Sequence, residues 1–254
     1  MKKKTISALI LAALLLTGLF VFGGCGSAKP LSFDALMHGT IDFTPDPDRI
    51  VLEDLAELLD YNSQRGLKGA FVCGEVTGTR HFIAYDAEDG SFEGYSVSTV
   101  RLSGVNDLGR TAGFAVGDTV DIVDDYGVYF KDYGDLFELL SRESGRSVRS
   151  EADLEKLEDG TFEVVPVEGK EYTVLLHENI LPMEAGRSYT FCLREYNGSR
   201  EGYERLCACS YAAPFGGQDT LKTLAEKYGF RFSEDYVRIA EEISRLFEDD
   251  EAER

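Results

Sequence analysis

The sequence predicts a mainly β chain of the α+β kind, a mostly antiparallel sheet flanked by N- and C-terminal helices. Three observations predict it. Runs rich in β-branched and aromatic residues, punctuated by glycine and Asp-Gly, fill the middle and late parts of the chain. Apolar stripes at helical spacing stand before and after them. A polar, helix-capped excursion interrupts the strands between residues 135 and 160.

The elements follow in order. In "DPDRIVLEDLAELLDYNS", Ile50, Leu52, Leu55, Ala56, Leu58 and Leu59 form one helical stripe, with Asp46 or Asp48 as its cap. "LKGAFVCGEVTG" and "RHFIAYDAEDGSFEGYSVSTVRL" read as strands. So does "FAVGDTVDIVDDYGVYF", with Val120, Ile122 and Val128 alternating against acids, as in a sheet with one polar face. In the excursion, Asp135 and Ser150 are the expected caps, and Gly145 and Gly160 the expected stops. "TFEVVPVEGKEYTVLL" reads as a hairpin turning at Glu168-Gly169, and "RSYTFCLREYNGSREGYERLCACSYA" as a second one turning at Asn197-Gly198, where both residues tolerate positive φ. Two helices end the chain. One runs from Asp219 to Gly229; the other, capped by Ser233, carries Val237, Ala240, Ile243 and Phe247 on a face suited to docking on the parent domain.

The first residues follow a different logic. Lys2, Lys3 and Lys4 precede an uncharged run from Ile6 to Phe22, which ends in Gly23 and Gly24 before Cys25. Basic head, apolar middle and small-residue exit are the parts of a secretory signal. The run is slightly short for a spanning helix, which needs about 20 apolar residues. "FVFGGCGS" resembles a bacterial lipoprotein signal, in which the cysteine is acylated on sulfur and becomes the new N-terminus. It departs from that pattern at Phe22, where leucine is usual. The resemblance implies lipidation at Cys25 (palmitate or a related acyl chain) and a body at the extracytoplasmic face of the cell membrane. It also divides the chain: residues 1–24 as signal peptide, 25–32 as tether, 33–216 as the β domain with its helical insertion near 135–160, and 217–254 as the C-terminal helices.

Removing residues 1–24 takes away three lysines and no acid, leaving 23 basic residues against 46 acidic ones, a formal net charge of −23. Such a chain opposes nucleic-acid binding, whose affinity comes largely from Lys and Arg on phosphates. It also opposes tight contact with anionic lipid headgroups. Besides Cys25 there are Cys73, Cys192, Cys207 and Cys209. An even count outside the cytoplasm is compatible with bridges, while the apolar settings of Cys73 and Cys192 suit buried thiols. No connectivity follows from the sequence.

The order "AFVCGEVTG", "YSVSTVRL", "FAVGDTVDIVDDYG", "ILPMEAGRSYTFCL" resembles a pattern in secreted and lipid-anchored bacterial proteins with an OB-like, netrin-like β-barrel. It covers roughly residues 67 to 210. Gly117-Asp118 and Gly186-Arg187 are its turn residues before strands. The resemblance implies an OB-like antiparallel barrel and carries little about function. Nucleic-acid binding by such barrels uses a basic groove with stacked aromatics. Tyr95, Tyr126, Tyr129 and Phe130 are present here, but the basic groove is not.

No enzyme motif survives inspection. "HENIL" at His177 lacks the second histidine of a zinc-protease helix, and there is no Gly-x-Ser-x-Gly elbow or phosphate-cradling loop. Cys73 and His81 would form a nucleophile pair only if the fold joined them; "VCGEVTGTRHF" reads more simply as a hairpin with both structural. The candidate cation ligands are Asp86, Glu88 and Asp89 in one turn and Asp121, Asp124 and Asp125 in one strand, since hard cations want several oxygens on a tight turn. Turn capping and a polar strand face are the competing roles. The expected function is therefore a lipid-anchored extracytoplasmic binding or interaction module. It has no catalytic activity and no cofactor, and its partners are the membrane through Cys25 and an envelope protein. An envelope enzyme using carboxylates and a cation-binding protein are the alternatives.

Overall fold

The computed structural model describes residues 29–38, 40–44, 55, 69–108, 113–177, 182–195, 202–205, 211–212, 226–228 and 234–247. Cys25, most of the 46–63 stripe, Asn197-Gly198, Cys207, Cys209, most of the 219–229 helix and the imidazole of His177 lie outside these residues.

The described elements are α1 (Phe33–Met37), β1 (Thr40–Thr44), β2 (Gly69–Tyr85), β3 (Phe92–Asn106), β4 (Thr119–Asp124), β5 (Tyr126–Phe130), α2 (Tyr133–Ser144), α3 (Glu151–Leu154), β6 (Gly160–Val164), β7 (Tyr172–His177), β8 (Ser188–Glu195), β9 (Tyr203–Arg205), β10 (Tyr211–Ala212) and α4 (Glu234–Arg245). Five strands close a barrel in the order β2-β3-β4-β9-β8 and back to β2. The contacts are antiparallel except β4–β9, where Ile122 and Tyr203 pair in parallel. This is the strand order of an OB-like Greek-key barrel, and it upholds the expected fold class.

The barrel forms because its strands alternate. Val100, Leu102, Val120 and Ile122 turn inward together with Ala70, Val72, Val76, Phe191 and Leu193. Gly117 (φ 96°) and Gly186 (φ 84°) make the turns before β4 and β8, as their positions in the sequence suggest. Bulges in β2 at Cys73/Gly74 and Val76/Gly78 tighten its curvature. Gly74 is required at the first, because a Cβ there would lie 2.6 Å from Val100 Cγ1 and 2.8 Å from the Arg101 carbonyl oxygen.

The β2–β3 hairpin outruns the barrel. β2 has 17 residues, about 55 Å at strand rise, and only Gly69–Glu75 pair with β8. Its second half, His81–Tyr85, pairs instead with β6. Over this extension lies a second sheet, β1-β7-β5, with β1 and β7 parallel. Ile83, Tyr85, Tyr126, Leu140, Phe162, Tyr172, Val174 and Leu176 form a core of their own there, with α1 and α2 against it. α2 is capped by Asp132, whose carboxylate accepts from Gly134 N, and ends at Gly145 (φ 68°). The cap is thus three residues earlier than Asp135. Ser150 precedes α3 in extended conformation without a side-chain cap bond.

Two local expectations are corrected. "TFEVVPVEGKEYTVLL" is not a hairpin. Gly169 does turn the chain (φ 90°), but β6 pairs with β2, while β7 pairs with β1 and β5. "DIVDDYGVYF" is not one strand, because it breaks at Asp125 and β5 crosses to the second sheet. The last helix does dock. Ile239, Ile243 and Phe247 pack on Phe71, Cys73 and Cys192 of the barrel wall, and Ser244 Oγ lies 2.9 Å from Thr190 Oγ1. α4 is therefore part of the barrel body.

Candidate functional site

The two cores leave a cleft of about 300 Å³ between them. Its floor is β2 at Thr79, Arg80 and His81, with Tyr126 of β5 behind it. Pro182 and Met183, on the approach to β8, form one wall, and Val164 to Pro166 form another. The third is the N-terminal segment, Pro30, Leu31, Phe33 and Met37. That segment is fastened by backbone bonds, Leu31 N to Pro166 O at 2.8 Å and Glu168 N to Lys29 O at 2.9 Å. Ser32 then caps α1 by accepting from Ala35 N. Asp34 holds the outer side, against Lys227 Nζ at 2.8 Å and Tyr228 Oη at 2.5 Å. Lys227 in turn keeps the Asp34 carboxyl below its usual range.

The floor carries the chemistry. Ser96 is fully buried, and its hydroxyl donates to the Tyr126 carbonyl at 3.0 Å. His81 Nδ1 lies 2.8 Å from the same Ser96 oxygen. A hydroxyl has one proton. With that proton on the Tyr126 carbonyl, Nδ1 must be the donor to Ser96, so Nε2 of the neutral ring carries the lone pair. Burial pushes the imidazole down to about 4, so this state holds across the physiological range. Burial also raises the Tyr126 phenol, which therefore stays protonated. Thr79 bridges the floor to the wall through Ser98 Oγ and the Met183 carbonyl.

Tyr126 is almost wholly buried, and Ser96 is the side-chain hydrogen-bond partner of its phenol. His81 and Tyr126 both line the cleft, with ring centroids 5.9 Å apart. Arg80 and Glu163, one of each sign, sit at its exposed edge.

The acids singled out in the sequence have other neighbours. Asp86 Oδ1 accepts from Glu88 N, and Asp89 Oδ1 accepts from Ser91 N, so both cap their own turn. Asp121 accepts from Thr99 Oγ1 on the outer strand face. Asp124 is buried and bonds Arg205 Nε at 2.7 Å; desolvation raises its carboxyl against the pull of that guanidinium. Asp125 lies beside it at the break between β4 and β5. Among the described residues no three His, Cys, Asp or Glu side chains gather as metal ligands would. Cys73 and His81 lie on one continuous strand, not on the two arms of a hairpin. Cys73 faces the α4 contact and His81 the cleft, so the fold does not join them. Cys73 and Cys192 are both buried.

Sequence reasoning treated His81 as structural and missed its pairing with Tyr126 and Ser96. The three come from different strands and have no diagnostic spacing. The signal available was a lone histidine on a strand with apolar neighbours.

Compared with protein-family models, with curated proteins and with solved structures, the chain matches none.

Proposed function

We propose that the protein is a lipid-anchored extracytoplasmic binding module, held to the membrane through Cys25, whose binding site is the cleft between the barrel and the second core. The observation that carries this reading is the origin of one cleft wall. Leu31 stands six residues after Cys25, a span of about 20 Å when fully extended. An acylated Cys25 would therefore hold the cleft close to the membrane surface. The cleft also has the character of a small-molecule site, with apolar walls and a few convergent polar groups that fix orientation. Anchoring raises the local concentration of such a site for anything confined to the envelope, so modest affinity suffices. The strong negative charge of the body keeps it off the anionic headgroups beneath it.

Metabolic labelling with an alkyne fatty acid, followed by intact-mass analysis, tests the anchor. The expected result is a membrane-bound chain that begins at acylated Cys25, with label lost in Cys25→Ala. An unlabelled wild-type chain, or label that survives the substitution, would overturn it.

A further inference from the structure

β2 changes partners at the cleft. β8 pairs with it from Gly69 to Glu75. That edge closes at Val76, whose N donates to Arg187 O and whose O accepts from Gly186 N. β6 takes over only at His81. From Thr77 to Arg80 the strand has β3 on one side, through the pairs Gly78–Thr99, Thr79–Ser98 and Arg80–Val97. Among the described residues no strand pairs with its other side there. Thr79 and Arg80 line the cleft together with Val164 from the β6 side and Met183 from the β8 side, so the open edge of β2 faces into it. Pro166 stands just past β6 and Pro182 on the approach to β8. Neither has an N–H with which to extend its strand across the gap.

An open strand edge presents N–H and C=O groups at alternate residues, and such groups are costly to leave unmatched away from water. A hydrocarbon or an aromatic ring would fill the apolar walls and leave that edge unpaired. An extended peptide does both, with its main chain on β2 and alternate side chains against Leu31, Met37, Val164 and Met183. The neighbours also set its length. The gap spans about 13 Å at strand rise, and a strand lying in it meets β8 at one end and β6 at the other. A segment of a longer chain would have to turn out of the sheet at both ends, whereas a free peptide ends there. A cleft of about 300 Å³ suits such a ligand, since it stands at the lower end of small-molecule sites.

We propose that the cleft binds a free peptide of about three residues, with apolar side chains, which lies extended in the gap and pairs with β2 as a strand. This rests on the cleft being the binding site, as proposed above.

Methionine-methyl and backbone-amide NMR on the full chain give a direct test, because the sequence has three methionines and two of them, Met37 and Met183, line the cleft. The probes are the tripeptide Ala-Val-Ala, its two analogues with one N-methyl group on the second or the third residue, the longer Gly-Gly-Ala-Val-Ala-Gly-Gly, and toluene. The expected result is that Ala-Val-Ala shifts both methyl signals and slows hydrogen exchange of an amide between Thr77 and Arg80. Alternate N–H groups of an extended ligand face the same edge, so one N-methyl analogue should bind about tenfold more weakly and the other as well as the parent. The longer peptide should bind more weakly than the tripeptide. Two analogues that both match the parent, or that both lose alike, would overturn strand pairing while leaving the cleft as a binding site. A longer peptide that binds as tightly would overturn the limit on length. Methyl shifts with toluene but not with the tripeptide would overturn the peptide and keep the cleft; no shift with any probe would overturn the cleft itself. None of these results would bear on acylation of Cys25.

Discussion

The barrel and the core beside it are built on the same two strands and solve the sheet-edge problem differently. In the barrel, β2 finds β8 and the sheet closes, so backbone hydrogen bonds go round the ring. In the extension β2 finds β6, which ends the sheet, and the exposed faces are covered by side chains. The two interiors differ accordingly. The barrel is filled largely by aliphatic residues. The second core is rich in rings, with Tyr85 against Phe92 at 4.9 Å and Phe130 against Tyr172 at 5.2 Å, and its phenols reach backbone partners, as Tyr85 does at Leu154 O. Closure lets a barrel hold with small side chains, whereas an open extension needs large amphipathic ones. The cleft lies where one solution gives way to the other.

The barrel's ring has one thin seam, and breaking it gives the largest expected effect. Among the described residues β4 and β9 share only the Ile122–Tyr203 pair, and the buried Asp124–Arg205 ion pair spans the same two strands. Removing Asp124 takes away a buried counter-charge of the Arg205 guanidinium. Asp124→Ala should lower unfolding stability by about 3–5 kcal/mol, read as a shift in urea midpoint. The combined Asp124→Leu, Arg205→Met chain should regain most of it, because an apolar pair needs no desolvation of charge. A single-variant loss under about 1 kcal/mol would mean that the seam is held by something else.

The boundary between the regions should report itself through pH. The folded-state value of His81 is lowered from 6.5 to about 4. Below pH 6.5 the unfolded chain takes up a proton that the folded chain refuses, so stability is intact above that value, falls as pH drops toward 4, and levels off below it. The loss is roughly 3 kcal/mol at 1.36 kcal/mol per unit. Urea midpoints measured between pH 7 and pH 4 should fall more steeply for the wild type than for His81→Gln. Parallel curves would show that His81 is not held neutral by its surroundings.

These contrasts were unequally visible in the sequence. The barrel strands announced themselves through alternation, and Gly117 and Gly186 through turn chemistry, because those signals are local. The second core was not legible for the opposite reason. Val120, Ile122 and Val128 keep one alternating rhythm across Asp125, yet the chain changes sheets there. Glu168-Gly169 makes its turn, yet the flanking strands choose distant partners. Strand pairing is settled by which edges are free once the whole chain has assembled, and no window of ten residues contains that. The cleft inherits the difficulty, since Thr79, Tyr126, Val164 and Met183 meet only through those distant pairings. Acids, by contrast, were conspicuous and misleading, because a turn carboxylate such as Asp86 or Asp89 is used up by its own backbone.

The smallest expected effect is within the second region, where its sheet packs on the extension. Gly94 of β3 lies under β5, and a Cβ built on it would stand 2.6 Å from Tyr129 Cζ and 2.7 Å from Gly127 Cα. The phenol oxygen of Tyr129 accepts from Gly94 N at 2.5 Å, so the glycine serves both approach and bonding. Gly94→Ala should cost about 1–3 kcal/mol, the usual penalty of overpacking. The origin of that cost separates two descriptions of the junction. If the ring alone is in the way, removing it with Tyr129→Ala should make the added methyl harmless. If the strands themselves are pressed together, the clash with the Gly127 backbone remains and most of the cost persists. The second outcome is expected, because a side chain can rotate away while a paired strand cannot. A double-mutant cycle on Gly94→Ala and Tyr129→Ala measures the difference. A small coupling energy would mean that the second sheet meets the extension backbone to backbone, and a coupling equal to the whole single-variant cost would reduce that contact to one tyrosine.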